Sequence, residues 1–150
     1  MDSKRQLVND TLKALNLHTD DAVELVLGTS AQESAYGKYR KQLGGGPALG
    51  IFQMEPNTFH DICINFLAYK PDLKARIMKL ADVEELNAAD LETNDVLATC
   101  MCRVHYLRVK EPIPVDLQGW ASYWKKWYNT PKGKGTDIEF MRNYKKYVKP

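Results

Sequence analysis

Residues 19–34 read TDDAVELVLGTSAQES and predict a helix that is apolar over most of its length. Thr19 or Asp20 begins it, since both residue types cap helix N-termini and acids suit the positive end of the helix dipole. Small or apolar residues follow at helical spacing, namely Ala22, Val23, Val26, Leu27 and Ser30. The helix is expected to end near Ser34. One carboxyl group, that of Glu33, therefore stands at the end of a rigid and largely apolar element.

The chain after this helix is rich in glycine. Residues 37–50 include a glycine triplet at 44–46, which predicts a loop with room for a small hairpin. The return from the loop, residues 48–56, reads ALGIFQMEP and carries Gln53. We expect this amide-bearing segment to face Glu33. A carboxyl group on an apolar element can keep its proton near neutral pH, which suits a general acid that acts on a glycosidic oxygen.

Capping residues and the 3–4 spacing of apolar residues predict helices along the rest of the chain. Ser3 is expected to cap the first helix, and Asn94 or Thr93 a later one. Other helices begin at Pro56, Pro71 and Asp116, and a terminal helix covers 136–147. No internal repeat, low-complexity segment or linker interrupts the sequence. The sequence predicts a mainly α fold of about six to eight helices in a single domain, residues 1–150, with the glycine-rich loop or small hairpin beside a cleft.

Composition narrows the class of protein. Of the 150 residues, 44% are hydrophobic and 27% are charged, as in a soluble globular domain. No apolar run approaches the roughly 20 residues of a membrane helix. The N-terminus lacks the apolar stretch and cleavage site of a signal peptide. We therefore expect synthesis in a cytoplasm and no transmembrane segment.

The cysteines and histidines do not indicate a metal site. Cys63, Cys100 and Cys102 are an odd and sparse set, so free thiols are expected rather than disulfides. A site built from Cys100, Cys102 and His105 fails on geometry, because the two thiols point to different faces of one helix and no fourth ligand is near in sequence. No Ser–His–Asp arrangement, Walker loop or dinucleotide fingerprint is present. We expect no metal and no cofactor.

Charge is unevenly distributed, although the net charge is only +2. From Lys125 onward there are eight Lys or Arg residues against two acids, whereas residues 82–95 hold six acids and no base. Such runs are most often solvated helix faces. The basic C-terminal segment also suits contact with an anionic envelope surface, either a polymer or a membrane. No recognised nucleic-acid-binding motif accompanies it, so nucleic acid is not an expected partner.

Three short blocks resemble the signature of a known family. They are Glu33-Ser34, then Gly50-Ile51-Phe52-Gln53-Met54-x-Pro56-x-Thr58, then Tyr128-Asn129-Thr130. In this order they resemble the soluble lytic transglycosylases, which share their catalytic domain with goose-type lysozymes. The family has Met at the position of Phe52, and Ala-Gly where this chain has Thr130-Pro131. The compact size and basic tail also resemble bacteriophage endolysins or virion-associated lytic enzymes.

The resemblance implies a lysozyme-like domain whose cleft binds the glycan strands of peptidoglycan. Glu33 would be the general acid and then the base at the MurNAc–GlcNAc β-1,4 bond. Ser34 would steady the loop at the acid, and Gln53 would bind sugar beside the scissile bond. Tyr128 would hydrogen-bond or orient Glu33, and Asn129 would shape the backbone of the cleft. The protein would be a monomer, made in the host cytoplasm and active in the periplasm or cell wall.

A second catalytic carboxyl group is not defined by the sequence. Hydrolytic glycosidases generally use two, whereas the resembled transglycosylases use one because groups of the substrate complete the reaction. Glu55 is the candidate nearest to Gln53, with Asp61 and Asp137 as weaker ones. Glu55 equally fits an ordinary acid before a helix N-terminus. Hydrolysis and transglycosylation therefore both stay open.

Aromatic residues cluster just before the third block. Trp120, Trp124 and Trp127 fall on one face of the helix that begins at Asp116, which is more typical of a core than of a binding site. Two functions besides a peptidoglycan glycosidase fit the same sequence. One is a chitinase-like hydrolase, which also pairs a helix-end Glu with a Gly-x-x-Gln segment. The other is a non-catalytic glycan-binding virion protein that keeps the fold without turnover.

Overall fold

The structure is a computed structural model that describes residues 2–129 and 133–149. Within these residues the chain forms seven α-helices and no β-strand, which confirms the predicted mainly α fold. The helices are α1 (Ser3–Ala14), α2 (Asp20–Ser34), α3 (Pro56–Asn65), α4 (Pro71–Ala81), α5 (Asp95–Leu107), α6 (Leu117–Trp124) and α7 (Asp137–Asn143). Two 3-10 turns, Leu67–Tyr69 and Ala88–Glu92, and two π-helical segments, Lys125–Asn129 and Tyr144–Val148, complete the helical structure.

Most helices begin where capping chemistry predicts. Thr19 Oγ1 accepts a hydrogen bond from the Ala22 amide at 3.0 Å, so Thr19 rather than Asp20 caps α2. The first helix differs from its prediction, because Asp2 and not Ser3 accepts the capping hydrogen bond, from the Arg5 amide at 2.8 Å. The predicted terminal helix is also interrupted, since α7 continues only as the π-helical segment 144–148.

Helix α2 is the central element of the described fold. It packs against α1, α5, α6 and α7. Its side chains are buried on most sides, as expected for a helix that is apolar around its circumference. The end of α2 that carries Glu33 is therefore held by neighbours on several sides.

One cluster of buried side chains draws on all seven helices. Its members include Val8, Leu25, Phe59, Ile77, Tyr106, Trp124 and Phe140, one from each helix in chain order. Cys63, Cys100 and Cys102 are free thiols. Among the described residues, no helix has the length and apolarity needed to cross a membrane.

The glycine-rich loop forms turns and isolated bridges rather than a regular hairpin. It makes two isolated bridges, Lys41 with Leu49 and Leu49 with Met54. Gly50 turns the chain at a φ of 81°, and a Cβ at this position would lie 2.1 Å from the carbonyl oxygen of Leu91. A residue with a side chain therefore cannot take this conformation without moving the backbone. The turn at Gly50 brings residues 51–54 alongside the end of α2.

Candidate active site

An open pocket of about 330 Å³ lies where the end of α2, the glycine-rich loop and the segment Lys125–Asn129 meet. It brings together most of the residues singled out from the sequence, namely Glu33, Gln53, Glu55, Tyr128 and Asn129. The rest of the lining comes from the loop, namely Tyr39, Gln42, Leu43 and Ala48. Residues that are far apart in sequence thus share one concave surface, the usual setting of a ligand site.

Glu33 is half-buried at this pocket. Burial raises the pKa of Glu33 to about 7, and this effect outweighs the opposing one of a hydrogen bond from Trp124. Trp124 Nε1–H donates to Glu33 Oε2 at 2.9 Å. No charged side chain of the described residues contributes to the shift, and Oε1 accepts no hydrogen bond from them. The site therefore holds a carboxyl group that is partly protonated at neutral pH and has one oxygen free for a ligand.

Trp124 was not predicted to contact the acid. The hydrogen bond to Glu33 that the resemblance implies for Tyr128 is made by Trp124 instead. The Tyr128 hydroxyl donates to the carbonyl oxygen of Phe52 at 2.6 Å, so it ties the return from the glycine-rich loop to the segment after α6. The only sequence signal was general: the indole N–H of a buried Trp needs an acceptor, and Glu33 is a carboxyl group on an apolar helix.

Ser34 is buried and does not line the pocket, unlike Gln53, Tyr128 and Asn129. Its hydroxyl lies 2.7 Å from the carbonyl oxygen of Ile51, to which it donates, and accepts from the Gly37 amide at 2.8 Å. These bonds join the end of α2 to both sides of the glycine-rich loop. They agree with the implied role of Ser34 in steadying that loop.

Gln53 lines the pocket in a left-handed conformation, with a φ of 48°. Its amide nitrogen donates to the carbonyl oxygens of Tyr39, Arg40 and Gly50, at 3.3, 3.2 and 3.0 Å. Because these three neighbours can only accept, the NH₂ group must face them. Gln53 therefore offers a ligand its carbonyl oxygen alone.

Asn129 and Glu55 also line the pocket. Asn129 Oδ1 accepts from Lys125 Nζ at 2.8 Å, and the same ammonium group donates to the carbonyl oxygen of Gly133. Thr130-Pro131, the departure from the family pattern, lies outside the described residues. Glu55 is exposed at the N-cap of α3 and makes no capping hydrogen bond through its side chain. Its carboxyl group shares the pocket with Glu33, so its two roles considered above both stay open.

Two aromatic rings pack against Tyr128 of the pocket. Tyr106 is fully buried, and its ring centroid lies 5.5 Å from that of Tyr128. His105 meets Tyr128 edge-on at 5.1 Å, and burial lowers the pKa of His105 to about 4. This histidine is therefore neutral at neutral pH, and it brings no positive charge toward Glu33. Within residues 2–129 and 133–149, no group of three His, Cys, Asp or Glu side chains is arranged to hold a metal ion.

Comparisons of the chain with known protein families, with characterised proteins and with solved structures find no match. The likeness to lytic transglycosylases in three sequence blocks is therefore a hypothesis about this chain. A functional assignment of this protein depends on the pocket and on the chemistry of Glu33.

Proposed function

We propose that this protein is a peptidoglycan-degrading glycosidase that cleaves the MurNAc–GlcNAc β-1,4 bond, with Glu33 as its general acid. The observation that carries this proposal is the environment of Glu33, whose pKa burial raises to about 7 in a pocket that also contains Gln53, Tyr128 and Asn129. A general acid is most effective when its pKa lies near the working pH. A pKa near 7 meets this requirement.

The proton path follows from the two oxygens of Glu33. Oε2 is occupied by the indole N–H of Trp124, so the transferable proton resides on Oε1. Transfer of this proton to the glycosidic oxygen breaks the C–O bond and leaves Glu33 as a carboxylate. Trp124 then donates to an anion, and hydrogen bonds to charged groups are stronger than those to neutral ones. The same carboxylate can next act as a base and remove a proton from the attacking hydroxyl group.

The attacking hydroxyl group distinguishes the two forms of the proposal. In a transglycosylase it belongs to the sugar itself, and Glu33 suffices. In a hydrolase it belongs to water, and a second carboxyl group assists. Glu55 is the candidate for that role, because it is exposed and lines the same pocket.

The remaining lining suits a sugar chain. The loop exposes Tyr39 and Leu43 at the pocket, with 36% and 68% of their surfaces accessible. Aromatic and apolar surfaces of this kind pack on sugar rings and acetamide methyl groups, while the Gln53 carbonyl oxygen can accept from a sugar hydroxyl or acetamide N–H. The pocket therefore offers both apolar contact and hydrogen-bonding groups.

The direct test is mass spectrometry of products released from purified peptidoglycan. The wild-type protein should release soluble muropeptides, and Glu33→Gln should release none while keeping the same circular dichroism spectrum. Glu84→Gln, the same change at an exposed position outside the pocket, is the matched control and should match the wild type. Anhydro-muropeptides would identify a transglycosylase, and reducing ends a hydrolase. Release of sugar from chitin alone would identify the chitinase-like alternative, and no release from either polymer would refute catalysis.

A further inference from the structure

We infer that Phe140 and Gly135 are positioning residues for Glu33, because together they fix the Trp124 indole at the place from which its N–H reaches the carboxyl group. This inference rests on the proposed function of Glu33 as the acid. Neither residue lines the pocket, and Phe140 comes from α7, which contributes no other group to the site. Both would therefore act only through Trp124.

Phe140 holds one side of the indole. Its ring lies 5.4 Å from that of Trp124, at an interplanar angle of 33°. Phe140 is itself held against α2, because a Cβ built at Gly28 would come within 2.4 Å of its ring. A glycine inside a helix is unfavourable, so its presence here indicates that the space is needed for Phe140. The ring cannot move away from Trp124 into α2.

Gly135 limits the far edge of the indole. A Cβ at this position would lie 2.6 Å from Cη2 of Trp124, so the backbone passes directly against the ring. The following turn is rigid, since Thr136 and Glu139 form a reciprocal capping box at the start of α7. At the other end of α7, Asn143 Nδ2 donates to Gln32 Oε1 at 2.6 Å, next to Glu33 in the sequence of α2. Helix α7 is thus held to α2 by this hydrogen bond and by the Phe140 ring, which lies against Gly28.

The groups that titrate around Glu33 are few. Those that face it are Cys102 and Tyr106 from α5, Tyr128 from the segment after α6, and Tyr39 and Glu55 across the pocket. The thiol and the phenols of Tyr106 and Tyr128 have pKa values raised by burial, so they stay neutral at neutral pH. Changes in the hydrogen bond from Trp124 should therefore be visible in the titration of Glu33.

The experiment compares Phe140→Leu with Phe59→Leu. Both phenylalanines are fully buried, but Phe59 lies in α3 and contacts His60 rather than Trp124. The two variants lose similar packing, so a purely structural role predicts equal effects. We expect Phe140→Leu to lower kcat about tenfold with KM unchanged. The basic limb of its pH–rate profile should move upward by about 0.5 pH unit, because a looser Trp124 stabilises the carboxylate less. Phe59→Leu should leave the limb in place.

A second measurement does not need activity. The ¹³C resonance of the Glu33 carboxyl group, identified by its loss in Glu33→Gln, reports the pKa directly. Gly28→Ala displaces the Phe140 ring from the other side and should raise this pKa as Phe140→Leu does. A pKa of Glu33 that is unchanged or lower in both variants overturns the positioning role, even if muropeptides are released. A raised pKa without any muropeptide release supports the positioning role and refutes only the glycosidase.

Discussion

Trp124 donates its indole N–H to Glu33 Oε2 at 2.9 Å, across 91 residues of sequence. This bond is the only polar contact that the described residues make with the carboxyl group of Glu33. It favours the carboxylate, whereas burial favours the neutral acid, and burial has the larger effect. The pKa of Glu33 is therefore set by a balance of two opposed causes, and each can be changed separately.

Trp124→Phe should remove the hydrogen-bond donor to Glu33 while the carboxyl group of Glu33 stays buried. We expect the pKa of Glu33 to rise above its value of about 7. The loss of one hydrogen bond to a charged group predicts a rise of about one pH unit. Because the proposed activity requires the protonated acid, the basic limb of the pH–rate profile should move upward by the same amount, while kcat on the plateau below the limb should fall. Trp120→Phe is the control, since its indole donates to Pro114 and not to Glu33. A limb that stays in place in Trp124→Phe would show that the bond does not tune the acid.

Glu33 should also make stability depend on pH. Its pKa is raised in the folded state from 4.5 to about 7. Between these values the folded state holds a proton that the unfolded state has released, so the free energy of unfolding falls as pH rises through this window. The loss amounts to at most about 3 kcal/mol. Glu33→Gln cannot lose a proton, so urea unfolding at about pH 4 and about pH 8 should show a smaller decrease than in the wild type. If the free energy of unfolding decreases equally with pH in Glu33→Gln and Glu84→Gln, the carboxyl group of Glu33 is not buried in the folded state.

The sequence predicted the parts of the site that depend on local chemistry. Thr19, Pro56 and Asp116 mark helix starts because capping and proline geometry act within a few residues. The approach of Gln53 to the pocket of Glu33 was also predicted, through the glycine-rich return between them.

The partner of the acid could not be predicted in this way. Which side chain of α6 meets Glu33 depends on how α6 is rotated against α2. That rotation is set by packing between distant residues, such as Phe140 in the space at Gly28. The position of Trp124 on an apolar helix face predicts that it is buried. It does not predict which acceptor the indole N–H contacts. The orientation of the Gln53 side-chain amide could likewise not be predicted from the sequence, because it depends on three backbone carbonyl groups.

Gln53→Glu should destabilise the glycine-rich loop. The new carboxylate would face three carbonyl oxygens in place of an NH₂ group, which leaves those acceptors unsatisfied and adds repulsion. We expect the free energy of unfolding to fall by roughly 2 kcal/mol. Gln42→Glu is the matched control, because Gln42 accepts from the Ala48 amide through Oε1 and a carboxylate keeps this bond. It should change stability by less than about 0.5 kcal/mol. Equal urea midpoints for the two variants would contradict the orientation of Gln53.

Two glycines of the loop should differ in their tolerance of alanine. Gly45 and Gly50 both have a positive φ, of 85° and 81°. A Cβ at Gly45 meets nothing within 4 Å, so Gly45→Ala should cost only the backbone strain, about 1 kcal/mol. A Cβ at Gly50 would collide with the Leu91 carbonyl oxygen, so Gly50→Ala should cost about 3 kcal/mol. Thermal unfolding of the two variants measures the difference, and similar melting temperatures would mean that the turn at Gly50 is more open.

The basic C-terminal segment can be tested without removing it. Deletion of residues 136–150 would take Phe140, Tyr144 and Val148 out of the core and unfold the site, so it cannot report on surface charge. Lys145 and Lys146 are exposed, and their joint replacement by Glu reverses the charge without touching these three residues. If the segment contacts an anionic envelope surface, lysis of whole cells should fall about tenfold while digestion of purified walls stays within about twofold.

A second pair of lysines controls for net charge in this experiment. Lys74 and Lys79 are exposed on α4, and Lys74→Glu with Lys79→Glu changes the net charge by the same amount. A local contact predicts that this pair leaves lysis of whole cells unchanged, because exposed charges farther away than the screening length of about 8 Å contribute little. It also predicts that added salt lowers the lysis of whole cells by the wild type, because salt screens the contact. The difference between the wild type and the Lys145 and Lys146 variant should therefore become smaller. Equal loss in both pairs would instead assign the effect to overall charge, and equal loss on cells and purified walls would place it at the pocket.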